Sequence, residues 1–177
     1  TFRRMTTGTL PNRREKKKAA RAAELLAAAR RAIRTHGAAT SIEQVAAEAG
    51  ITRPVIYRHF GDAAGLYWAI ADWFGDELLA RSAAATAHVA DGRPLVRAQV
   101  DAYLTFLAAG PNLYRFLARQ MPERSDGTED PITGFVQRVG GVIAAFLASR
   151  GMAPPDAAIA GRAFVGAIHT VSEWWLE

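Results

Sequence analysis

Apolar residues recur at spacings of three and four along most of this chain, and no stretch alternates apolar and polar positions with the period of two that a half-buried strand requires. The pattern predicts an all-α protein of eight helices. The first runs from Arg13 to about Thr35 and ends at Gly37, with Ala22, Leu25, Leu26, Ala29 and Ile33 as its apolar stripe. Residues 41–60 then read as two short helices around one tight turn. Ser41 with Gln44 forms a capping-box pattern, and Thr40 with Glu43 offers the same pairing one residue earlier. Ile42, Val45, Ala46 and Ala49 follow at helical spacing, and Gly50 is placed to leave the helix through a left-handed conformation. Thr52 is positioned to cap the next helix, Pro54 falls in its first turn, and Ile56 and Phe60 lie on the side to be buried.

Asp62 is the expected cap of a fourth helix that continues without proline to about Thr86, with Leu66, Tyr67, Ile70, Trp73, Phe74 and Leu78 inward. At about 1.5 Å per residue it spans roughly 37 Å, long enough to join two bodies. Asp91-Gly92-Arg93-Pro94 interrupts the pattern before a fifth helix over 94–109, closed by Gly110-Pro111. A sixth covers 112–121, a seventh 131–150, and an eighth starts at Pro154-Pro155-Asp156. Residues 1–12 and the polar stretch 123–130 lack periodicity and are expected to be mobile.

Charge adds function to this outline. Residues 1–61 hold 13 Lys and Arg against 4 Asp and Glu, whereas residues 62–177 hold 9 against 13, so a +9 segment precedes a −4 segment. Arg13, Arg14, Lys16, Lys17, Lys18 and Arg21 crowd the first turns of the first helix. Such a cluster beside a helix-turn-helix suits the phosphate backbone of double-stranded DNA. The absence of cysteine excludes disulfides and thiolate metal sites and fits a cytoplasmic location. No apolar run reaches the ~18–20 residues of a membrane span. There is no Gly-rich phosphate loop, His-Glu-x-x-His helix or Gly-x-Ser-x-Gly elbow, so the residues point to no enzyme, cofactor or metal.

From Thr40 to Leu66 the sequence is similar to the DNA-binding signature of TetR/AcrR-type transcriptional regulators, most specifically at Ala49-Gly50-Ile51-Thr52, at Tyr57-x-His59-Phe60 and at Leu66. The resemblance implies a DNA-binding segment over 1–61 and a ligand-sensing, dimerising helical segment over 62–177. It implies contacts to a palindromic operator from Thr52, Arg53, Val55, Tyr57, Arg58 and His59. Support through phosphates is expected from Lys16, Lys17, Lys18, Thr40 and Ser41, with Tyr57 and His59 gripping backbone. The family usually has Lys where this chain has Ala63, so one phosphate contact is missing.

Of the 16 aromatic residues, 13 lie beyond residue 61, more than a simple oligomerisation segment needs. Trp73, Tyr103, Phe106, Phe116, Phe135, Phe146, Phe164 and His169 are the candidate lining of a pocket for a small apolar ligand, such as a lipid or acyl compound, though individually they also suit a plain core. A homodimer seam is expected from Ala157, Gly161, Phe164, Ile168, Val171 and Trp175 on the eighth helix. That helix stops in mid-pattern, and the resemblance implies one more helix beside it. The alternative is an architectural or nonspecific DNA-binding dimer without a sensor.

Overall fold

The computed structural model describes residues 13–90, 92–119 and 131–176, and the predicted mobile stretches 1–12 and 123–130 lie outside these. Among the described residues there are eight helices: α1 (Arg13–His36), α2 (Ile42–Glu48), α3 (Arg53–Phe60), α4 (Ala63–Thr86), α5 (Arg93–Ala109), α6 (Pro111–Arg119), α7 (Pro131–Ser149) and α8 (Pro154–Leu176). No strand occurs among the described residues. No helix among them is long and apolar enough to cross a membrane.

The local signals explain where the chain turns. The Ser41 hydroxyl oxygen accepts from the Gln44 amide at 3.3 Å while the Gln44 side chain accepts from the Ser41 amide at 2.8 Å, so the box closes reciprocally. At the other end of α2, Gly50 adopts φ 64°, the Ile51 amide donates to the Ala46 carbonyl and the Gly50 amide to the Ala47 carbonyl. That is a Schellman closure, and it sets the short α2–α3 turn. Asp62 caps α4 by accepting from the Gly65 amide at 2.7 Å. Thr52 differs from expectation: it occupies the cap position of α3, but its side chain makes no capping hydrogen bond.

Helices α1, α2 and α3 bury Leu25, Ala29, Ala32, Ile33, Val45, Ala46 and Ile56, and α4 continues that core through Leu66 and Ile70. α4 is covered on several sides, by α1, α3, α5 and α7, so Trp68, Ala71 and Ser82 are buried along with the expected stripe, of which Trp73 alone is half-buried. Ser82 is satisfied by the Gln99 side chain of α5. α6 docks beside α1, where the Asn112 side chain donates to the Arg34 carbonyl at 3.2 Å. The buried Tyr67 hydroxyl donates to the Leu117 carbonyl at 2.6 Å, tying α4 to the last turn of α6, whose carbonyls lack intrahelical donors. Tyr67→Phe leaves that carbonyl unpaired and is expected to cost ~1–3 kcal/mol, measurable as a lower denaturant midpoint at constant slope.

α7 and α8 form the most extensive helix pair. Gly140 and Gly161 face each other across it, and a Cβ on Gly161 would run into the Gly140 carbonyl oxygen. This places part of the α8 stripe, expected from sequence to form a dimer seam, against the chain's own α7. Ala157 and Gly161 are buried, and Phe164 and Ile168 are half-buried, because they turn toward the chain's own α7. Spacing identified a packing seam; it carried no information about which helix fills it. Val171, seven residues after Phe164 and so on the same side of α8, is exposed, and the side chain of Trp175 lies outside those described.

Candidate DNA-binding interface

The short turn presents α3 with Ile56 inward and Arg53 and Arg58 exposed, while Val55, Tyr57 and His59 are half-buried at its flanks. Thr52 is exposed at the helix start, where a side chain without a capping bond is available to a phosphate. Lys16, Lys17 and Lys18 are all exposed along the first turns of α1. A salt bridge from Arg31 to Glu48, 2.7 Å, joins α1 to the end of α2.

Arg53 is not a free cation. Its Nε donates to the Tyr57 hydroxyl at 2.6 Å and its Nη1 to the Glu43 carboxylate at 2.9 Å, and its guanidinium lies 5.1 Å from the Tyr57 ring centroid. The Glu43 carboxyl is held below the usual carboxylate range by its own backbone amide first, then by the Ser41 hydroxyl, with Arg53 adding a smaller share. Arg53 is shifted upward, chiefly by the bond to Tyr57. The sequence reading gave Glu43 no part at this surface. The two charges are ten residues apart and on different helices, so no within-helix spacing rule connects them.

Two other expected contacts look different in the fold. The Thr40 hydroxyl donates to the Gly37 carbonyl at 2.6 Å, so it closes the end of α1 and its proton is already committed. His59 has its Nδ1 buried without a hydrogen-bond partner, which leaves only the other ring nitrogen as a candidate to face a phosphate. For the exposed lysines the physics is simpler. Lys17→Ala is expected to weaken cognate and scrambled duplexes alike and to flatten the salt dependence by about one unit, read from Kd at several salt concentrations.

The predicted ligand lining is not brought together. Trp73 faces α1, where the Arg30 guanidinium stacks 3.6 Å from its ring centroid. Burial is the main cause that pulls Arg30 below its ordinary range, with Arg34 adding, and its Nε has no partner. Phe106 packs on Phe74 at 4.9 Å between ring centroids, and Phe116 lies 6.0 Å from Tyr67. Phe146 stacks with Arg150 near the end of α7. Tyr103 and Phe164 line a gap of about 20 Å³, room for roughly one water. The side chains of Phe135 and His169 lie outside those described. A cleft of about 620 Å³ opens elsewhere, between the α1–α2 connection, the first turns of α4 and α6. Leu66, Tyr67, Ile70 and Phe116 form its apolar wall, with Thr40, Ser41 and Arg119 at its polar edge.

A helix-turn-helix with a cation-bearing second helix, packed with α1 and carried by the bundle of α4 to α8, defines the class: a regulator-type DNA-binding fold. Residues 25–70 match the model of bacterial regulatory proteins of the tetR family, and residues 80–177 match a tetracyclin repressor-like C-terminal domain. The chain belongs to the tetR family. An uncharacterised HTH-type transcriptional regulator of Mycobacterium tuberculosis is 37% identical over 87 residues, which cover 49% of this chain and 37% of that protein's length. A TetR-family transcriptional regulator from Pectobacterium atrosepticum has the same fold, with TM-score 0.72, 22% identity and coverage of 94% of this chain and 86% of that one. A fatty acid degradation regulator from Bacillus halodurans superposes with TM-score 0.66 at 16% identity, over 87% of this chain and 86% of its own.

Proposed function

We propose that this chain is a DNA-binding transcriptional regulator that acts as a repressor, with residues 1–61 reading a palindromic operator and residues 62–177 sensing a ligand and dimerising. The observation that carries the reading is the exposed α3, whose Arg53 is oriented by two bonds, in a chain whose α1 also exposes the Lys16–Lys18 cluster. Base discrimination falls on Arg53 and Val55, and backbone grip on Tyr57, Arg58, His59, Thr52 and the lysines, the Ser41 hydroxyl being engaged by Gln44 and Glu43.

Two copies are needed because one recognition helix spans few base pairs, and a two-fold dimer reads two half-sites about one helical turn apart. Exposed apolar side chains on α7 and α8 support this: Val142 of α7 and Ile159, Val171 and Trp174 of α8 are 70, 68, 60 and 75% exposed, the kind of residue that partners cover.

The sensor reading favours the cleft of about 620 Å³, which lies within the ~300–1,000 Å³ range of small-molecule sites. Its wall is apolar and spans both segments, so a lipid-like or acyl molecule seated there changes how α4 and α6 meet α2. A ligand that prefers the DNA-incompetent arrangement by ~3 kcal/mol lowers operator affinity by ~100-fold. The Bacillus halodurans neighbour shares this fold and is named for fatty acid degradation, which makes acyl compounds the first to screen.

In vitro transcription from a promoter carrying the selected binding site tests the reading. Fewer transcripts with protein, restored by an apolar compound, is the expected result. More transcripts would make the protein an activator, and compaction of any DNA without promoter effect would make it architectural.

A further inference from the structure

The acidic residue at the reading surface calls for a physical reason. Glu43 stands exposed in the first turn of α2, on a face meant for phosphates, where a carboxylate repels DNA. Its measurable stability contribution is small, since Arg53 and Glu43 side chains are 55% and 63% exposed and such pairs contribute little. What the pair does fix is direction. Arginine has several rotatable bonds, and here its guanidinium is held from two helices at once, Nη1 by Glu43 of α2 and Nε by Tyr57 of α3. Among the described residues these bonds leave both hydrogens of Nη2 and one of Nη1 for a base edge.

Resting on the DNA-reading assignment above, we propose that Glu43 is a specificity-determining residue: its carboxylate aims Arg53 at a base edge and withholds that cation from phosphates. On a random sequence, an untethered Arg53 would swing to the nearest phosphate and add affinity that carries no sequence information. The tether removes this option, so a correct base gains a pre-oriented donor while a wrong base gains nothing. The negative charge also lowers nonspecific affinity directly. Glu43 therefore trades total affinity for discrimination, and Arg53 is the residue through which it acts.

The test uses the full chain and measures Kd for a selected operator duplex and a scrambled duplex at several salt concentrations. Proteins compared are the wild type, Glu43→Gln, Arg53→Ala and the double variant, with thermal melting of each. Glu43→Gln is expected to bind scrambled DNA about 3- to 10-fold more tightly with a salt slope steeper by about one unit. Its operator-to-scrambled ratio should fall about 10-fold, within the range of one bidentate base contact. Its melting temperature should stay within about 2 °C of wild type. In the Arg53→Ala background the same change should leave the ratio where it is, because the aimed group is gone. An unchanged ratio in Glu43→Gln, or an equal fall with and without Arg53, overturns the role of Glu43 while leaving the regulator reading intact. A wild type with no operator preference overturns that reading itself, and this proposal with it.

Discussion

Arg53→Ala is expected to remove most of the base preference at one position of each half-site while leaving binding to scrambled DNA within a few-fold of wild type. An arginine bidentate to guanine contributes ~1–3 kcal/mol of discrimination, equivalent to roughly 5- to 150-fold in the operator-to-scrambled ratio. The upper part of that range is expected, since Arg53 is already held by Glu43 and Tyr57. Competition binding between the operator and single-base variants checks it. Equal loss on every sequence would assign Arg53 to phosphate, and the reader would then have to be sought at Val55 and its neighbours.

Gly161→Ala is expected to harm the α7–α8 packing by the addition of a single methyl group. Its new Cβ would meet the Gly140 carbonyl oxygen, a backbone atom that cannot swing aside, with the Gly140 carbonyl carbon 3.1 Å and the Ala144 amide 3.2 Å away. Relief requires α7 and α8 to separate, which opens the helix pair at its closest approach. Overpacking of this kind costs about 1–3 kcal/mol, and for a chain of this size lowers the melting temperature by roughly 2–4 °C per kcal/mol. Size-exclusion chromatography on the same variant reads the second consequence. If the outer face of these helices forms the dimer, splaying them should raise the monomer fraction. A variant that melts and assembles like wild type would show that the α7–α8 contact is looser than its geometry indicates.

The fold was legible in the sequence because its boundaries are written in short-range chemistry. Ser41 with Gln44, Gly50 and Asp62 each act within a few residues, and all three behave in the structure as their local pattern requires. Where one local choice was open it was resolved by a neighbour: Thr40 offered a second capping box, but its hydroxyl closes α1 at Gly37 instead. The candidate site was legible only in part. That α3 is exposed followed from Ile56 and Phe60 marking its inner side, but the grip of Glu43 on Arg53 joins two helices across a turn and depends on three-dimensional register. Bundle contacts were the least readable. Aromatic periodicity shows that Trp73, Phe106 and Phe116 face inward, yet Arg30, Phe74 and Tyr67 are what they meet, and no one-dimensional pattern assigns a partner from a distant helix. The α8 stripe was hard to read for the same reason, since the residue that Gly161 meets, Gly140, sits on α7.

The central claim is that α3 reads sequence in a two-fold arrangement, and selection from a pool of random duplexes tests it most directly. The protein is incubated with the pool at near-physiological salt, bound duplexes are recovered and sequenced over several rounds, and the enriched sites are aligned. The expected outcome is an inverted repeat with half-site centres about 10–10.5 base pairs apart or a multiple of that, and with a guanine in each half-site whose enrichment disappears for Arg53→Ala. Recovered duplexes that share no motif, while binding still weakens steeply with salt, would contradict the claim and leave a protein held to DNA by the charge of α1 alone.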